Sequence, residues 1–213
     1  MMLTDAWRYV LGHPERFGDA LWRHVTLSAA ALAIAAAIAI PLGIWLAGRA
    51  RLALVAINAA NMGRTLPSLA VLALTMPLLG TGFAPSLLAL TLLALPPILI
   101  NTHAAIRQVD PDAIDAARGM GMTPREITRR IVVPLAVPII AAGVRIAAIQ
   151  VISGAVLAAY IGGGGLGDFI TAGIAMMQVS LLLVGAVPAT LLAIGADLVF
   201  GGLQKALTPR GLA

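Results

Sequence analysis

Asp110–Pro134 reads DPDAIDAARGMGMTPREITRRIVVP, a polar, basic stretch inside a chain that is otherwise largely hydrocarbon. Asp110 is placed to cap a helix and Pro111 to occupy its first position, where a missing N–H costs nothing. Ala113, Ala116 and Ala117 give this helix a face of small residues that a second protein could approach closely. Gly119 and Gly121 are expected to end it, because glycine accepts the left-handed conformation found past many helix C-termini. Thr123, Pro124 and Glu126 spell a second start, with a cap, a first-turn proline and a carboxylate three residues after the cap. The stretch therefore predicts two short helices joined at a glycine hinge, too polar for lipid, forming a surface knob.

Outward from this knob the chain turns apolar. Of its 213 residues 60% are hydrophobic and 11% charged, with a mean hydropathy of +0.98. A soluble domain carries roughly a quarter charged residues, and several runs here reach the ~20 residues that cross a bilayer as a helix. The composition predicts an all-α, polytopic membrane helix bundle. A net charge of +5 would point to nucleic acid in a soluble chain. In a membrane chain the same residues act as topology signals, so no nucleic-acid partner is expected. With no cysteine, thiolate metal sites and disulfides are excluded. His13, His24 and His103 share no ligand spacing, so no metal is expected.

Residues 1–20 read as a mixed-charge, extracytoplasmic tail or an interfacial helix, with Trp7, Tyr9, Phe17 and Trp22 suited to the headgroup level, and they lack the pattern of a cleaved signal peptide. About five spans are expected across residues 21–205, followed by a cytoplasmic tail at 206–213. The first span runs from about Trp22 to Ala47. The second apolar segment, Leu52 to Leu79, is too long for one straight crossing, and Pro67 should kink or break it. The third runs from Pro85 to Arg107 with an expected kink at Pro96-Pro97, and the fourth from about Pro138 to Tyr160. Phe169–Met177 reads as a short interfacial or re-entrant helix, and the last span as Val179 to Leu203.

Ten of the fourteen lysines and arginines fall on one side of such a bundle: Arg49, Arg51, Arg107, Arg118, Arg125, Arg129, Arg130, Arg145, Lys205 and Arg210. By the positive-inside rule that side is cytoplasmic, which puts the knob (110–134) and the C-terminus inside and the N-terminus outside.

Asp115-Ala116-Ala117, then Gly121, then Ile131-Val132-Val133-Pro134 resembles the Glu-Ala-Ala loop of ABC-importer permeases. Together with RTLPSLAVLALTMPLLGTG (64–82), AARGMGMTPREI (116–127) and AAYIGGGGLGDFI (158–170), it is similar to the permease subunits of osmoprotectant importers. Asp115 replaces the usual Glu and Val133 the usual Leu. The resemblance implies the ABC-importer permease (MetI-like) fold and a bacterial inner-membrane location. It implies a role in importing glycine betaine, choline or carnitine. Related permeases for amino acids and other small solutes share these motifs, and a secondary transporter is the remaining alternative. It further implies partners: a cytoplasmic ABC ATPase docking on Asp115, Ala116, Ala117, Gly121 and Pro134, an extracytoplasmic binding protein, and a second permease copy, identical or related. ATP would be bound by the ATPase, with no cofactor and no covalent chemistry on this chain.

Arg64 is the charge placed deepest in a span. An arginine at a helix centre costs about 2.5–3.5 kcal/mol on insertion scales, so it either snorkels or faces an interior or water-filled path. The second reading makes Arg64, Thr65, Pro67 and Ser68 path residues, with Arg64 partnered by a carboxylate or backbone carbonyls and placed to meet a substrate carboxylate. Gly162, Gly163, Gly164, Gly165 and Gly167 form either a flexible turn or an outer gate. No Lys-Ser/Thr follows, so they are not a phosphate loop. Asp197 is expected to pair with Arg145 or Lys205. Aromatics make up only 4% of the chain, so a cation–π cage for a quaternary ammonium is expected on a separate binding protein.

Overall fold

The computed structural model describes residues 2–208, so Arg210 lies outside the described residues. Among these the secondary structure is helical throughout: α1 (Met2–Gly12), α2 (Pro14–Ala47), α3 (Ala50–Thr65), α4 (Ser68–Leu79), α5 (Phe83–Arg107), α6 (Pro111–Gly119), α7 (Pro124–Ile127), α8 (Val133–Ala155), α9 (Gly167–Ala175) and α10 (Val179–Leu207). Four helical stretches are long and apolar enough to cross a membrane: α2, α5, Pro124–Ala155 and α10. The pair α3–α4 makes a fifth if taken as one span. Its two halves bend through 102° at Pro67, so of the expected kink or break it is the break.

Where hydrocarbon surrounds a protein, helices associate by close packing of small residues rather than by the hydrophobic effect. The alanine-rich α2 shows this. Leu27, Ala31, Ala35, Ala39 and Leu46 fall on one stripe, are buried, and pack with Leu90, Ala94 and Ile98 of α5 and Ala147 and Val151 of α8 in one core. Gly43 continues the stripe. A Cβ there would lie 2.8 Å from the Thr102 side chain, so the α2–α5 approach depends on its absence.

Three boundaries differ from the sequence reading. The N-terminal residues are helical, one of the two forms expected of them, and are packed on the bundle. α1 packs on α10, burying Ala6 with Phe169, Leu181 and Val184, and α2 already begins at Pro14. Tyr9 and Phe17 pack near Phe169, whereas Trp7 and Trp22 are exposed. α5 continues through Pro96-Pro97 because both are buried, Pro96 beside Gly63 of α3 and the Pro97 carbonyl beside Gly143 of α8, and neighbouring helices hold a spanning helix together where proline removes its own bonds. The fourth span starts before Pro138. α7 runs through a π-turn at Thr128–Val132 into α8, and the chain then tightens into a 3₁₀ turn at Leu157–Ile161. The π-turn answers Pro134, which cannot donate to Arg130 and crowds its carbonyl. Val133 donates instead to Thr128, five residues back.

Candidate functional site

Three regions gather the residues singled out by sequence: the knob at one end of the bundle, a cleft beside the α3–α4 break, and the glycine turn before α9.

In the knob, Asp110 accepts from the Asp112 N–H at 2.9 Å and caps α6. At the other end Gly121 takes φ +81°, its N–H donates to Arg118 and the Met122 N–H donates to Ala117. This is the paired bonding of a Schellman cap. Gly119, expected to share that role, is the last residue of α6 and has no positive φ. The Thr123–Glu126 capping box is complete. The second helix, however, is not a separate short element but the first turn of the fourth span. The small-residue face also divides. Ala116 is exposed, while Ala117 is buried with Ala105, Val109, Ile127 and Val132. The surface open to a second protein is therefore Asp115 (paired with Arg118 at 3.0 Å), Ala116, Met120 and Gly121, and it does not include Ala117. Pro134 is exposed on the first turn of α8.

The break places Arg64 at the rim of a cleft of ≈630 Å³. Pro96, near the midpoint of α5, and Leu93 form one wall. Ile146, Ile149, Gln150, Ser153 and Leu157, one face of α8 and the turn after it, form the other. Ser68 also lines it, whereas Thr65 is turned back onto the Met62 carbonyl at 2.7 Å. Pro67 precedes α4 without capping it. The expected partner of Arg64 is not found: among the described residues it makes no ion pair or hydrogen bond. Gln150 and Ser153 were missed by the sequence reading. Their signal is two polar residues three apart in an apolar helix.

The glycine turn is in close contact with its surroundings. Gly162, Gly164 and Gly165 have φ of +77°, +75° and +97°, and Arg23 donates to the Gly163 carbonyl at 2.8 Å. A Cβ on Gly163 would collide with Ser86, and one on Gly167 with the Val156 carbonyl. Beside the turn, Glu15, Arg16, Asp19, Arg23 and Asp168 share a polar cleft. Burial pushes the Asp168 carboxyl above its usual range, against the opposing pull of Arg23 and Arg16. Overpacking a fitted contact costs about 1–3 kcal/mol. Gly167→Ala is therefore expected to lower the melting temperature in detergent by several degrees, whereas Gly48→Ala, with nothing within 4 Å, leaves it within a degree. Equal melting temperatures would show that the turn yields.

Away from these regions, Arg145 pairs with Asp197 and not with Lys205. Nε donates to Oδ1 at 2.6 Å and Nη2 to Oδ2 at 2.8 Å, linking α8 to α10. Arg145 thus sits within a span, not in the cytoplasmic loop region where the charge count had placed it.

Residues 39–211 match the family described as binding-protein-dependent transport system inner membrane component. The chain is 42% identical over 191 residues to the choline transport system permease protein OpuBB of Bacillus subtilis, covering 90% of this chain and 88% of that one. It is 41% identical to the carnitine transport permease protein OpuCB of Listeria monocytogenes, with the same coverage. Among solved structures it superposes on an inward-facing MetNI methionine ABC transporter with a TM-score of 0.80 at 20% identity, covering 91% of this chain and 97% of that one, a likeness of fold. A membrane helix bundle of this fold, with its matched region running from the last third of α2 through α10, belongs to the family of inner membrane components of binding-protein-dependent transport systems.

Proposed function

We propose that the chain is the permease subunit of an ATP-driven importer for quaternary-amine osmoprotectants: glycine betaine, choline and carnitine. The observation that carries this reading is identity above 40%, over nine-tenths of the chain, to permeases named for choline and carnitine transport. The knob supplies the mechanical part. α6 is tied to the fourth span through Ala117, which packs with Ile127 and Val132 and accepts the Met122 N–H, so a force on its exposed side is passed on towards α8. An ATPase docking on Asp115, Ala116 and Gly121 would press there as its ATP-bound dimer closes, and the cleft beside the α3–α4 break would open to alternate sides. The knob and C-terminus face the cytoplasm and the N-terminus the outside, where the glycine turn and its Arg23 clamp would meet a liganded binding protein. A second permease, identical or related, completes the path.

The test is copurification from membranes followed by an ATPase assay with an extracytoplasmic binding protein loaded with choline or glycine betaine. An associated ATPase, stimulated several-fold by the loaded binding protein, is expected. An associated ATPase that ignores these solutes would overturn the solute class and leave the importer. Failure of any ATPase to associate would overturn the importer reading.

A further inference from the structure

Arg64 lines the ≈630 Å³ cleft and makes no ion pair or hydrogen bond among the described residues. It lies opposite Pro96 near the middle of α5, at a level where an unpaired guanidinium facing hydrocarbon is strongly unfavourable. It therefore faces the interior of the assembled transporter or water. The other polar side chains lining this space are Ser68, Gln150 and Ser153, none with a hydrogen-bond partner among the described residues. The remaining wall is hydrocarbon: Leu93, Ile146, Ile149 and Leu157. The cleft thus offers one fixed cation, three neutral hydrogen-bonding groups and an apolar surface, with no carboxylate.

We propose that this cleft is a transit subsite that selects quaternary amines by their carboxylate. The inference rests on the function proposed above. A guanidinium matches a carboxylate through two parallel N–H···O bonds, with Gln150 and Ser153 placed to complete the oxygen's contacts. The methylated ammonium, which has no N–H to donate, lies against the apolar wall. A zwitterion such as glycine betaine or carnitine satisfies Arg64 and carries no net charge. Choline brings a cation and only a hydroxyl, so Arg64 repels it and is left unpaired. The cleft therefore favours carboxylated over non-carboxylated amines, and it does so after the binding protein has released its load.

The test is uptake of labelled glycine betaine and of labelled choline by membrane vesicles carrying the complete importer, normalised to permease content. Arg64→Gln is expected to lower the betaine-to-choline uptake ratio at least tenfold. Arg64→Lys keeps the charge but loses the fork and should recover part of that ratio. Gln150→Leu should shift it about threefold in the same direction. Equal loss of both solutes in Arg64→Gln, or an unchanged ratio, overturns the carboxylate assignment while leaving the importer intact. A wild-type importer that carries neither solute overturns the proposed function, and this assignment with it. Measurable choline uptake by the variant shows that it is folded.

Discussion

A Gly121→Val variant is expected to lose at least nine-tenths of wild-type uptake while still accumulating in the membrane. Gly121 sits at φ +81° and closes the cap that turns the chain from α6 towards the fourth span. No heavy atom of this chain lies within 4 Å of the place its Cβ would take, so crowding within the permease contributes nothing, and before the ATPase docks the effect is one of backbone. The left-handed region costs an L residue about 1–2 kcal/mol, and a β-branched side chain more. The cheapest relief is to abandon the Schellman bonds from Gly121 and Met122, which swings the exposed Asp115–Met120 edge away from its position. A factor of ten corresponds to about 1.4 kcal/mol, so this strain alone is of the size needed to empty the docking geometry. The spans lie outside the disturbed turn and should insert as before. Gly121→Asn, which tolerates the same backbone region, should retain a substantial fraction of uptake. The measurement is solute uptake beside permease content and ATPase copurification. Wild-type uptake with a normal complement of ATPase would remove the cap from the mechanism.

How much of this could be read in advance depended on whether the signal was local. Asp110, Pro111, Thr123, Glu126 and Gly121 act within one turn of themselves, and each does in the structure what its residue type predicts. The spans were legible for the same reason, since each is mostly apolar over a long stretch, whatever single charges it carries. What failed was whatever needed a neighbour. Ala116 and Ala117 are identical in sequence, and only the packing of α6 against Ile127 and Val132 decides that the second is unreachable. Pro96-Pro97 predicts a kink in isolation, and burial between two helices overrides it. The start of α2 was hidden because Glu15, Arg16, Asp19 and Arg23 look like a solvated tail. In fact they belong to a helix extending beyond the apolar run, where they ring the glycine turn. Gln150 and Ser153 were overlooked among apolar neighbours, since a face becomes a site only when the cleft opposite is known. Asp197 was ambiguous between two cations, and α8 supplied the answer because Arg145 alone reaches it in a fork.

That fork carries the other large expectation: Asp197→Ala should cut permease content in the membrane several-fold and sharply lower its melting temperature in detergent. Both charges lie within spanning helices, about a third exposed, with side-chain accessibilities of 36% and 37%, and the expectation takes their open side to face the membrane or an adjoining subunit rather than bulk water. An exposed ion pair in water contributes little, but a lone guanidinium in a span has no comparable alternative partner. Gly201 sharpens the point. A Cβ there would stand 3.2 Å from the guanidinium carbon, so α10 leaves room for the arginine to lie flat along it and reach Asp197. Removing the carboxylate therefore leaves the positive charge fixed against hydrocarbon. Removing both charges does not, because apolar side chains of similar size suit the same surroundings. The double variant Arg145→Leu/Asp197→Leu should consequently recover most of the content that Asp197→Ala loses, and Arg145→Leu alone should resemble the single loss. If the double variant is as poor as Asp197→Ala, the fork itself is required for the α8–α10 packing rather than merely tolerated. If Asp197→Ala is indistinguishable from wild type, the pair stands in water, and the helices around it do not face lipid at that level.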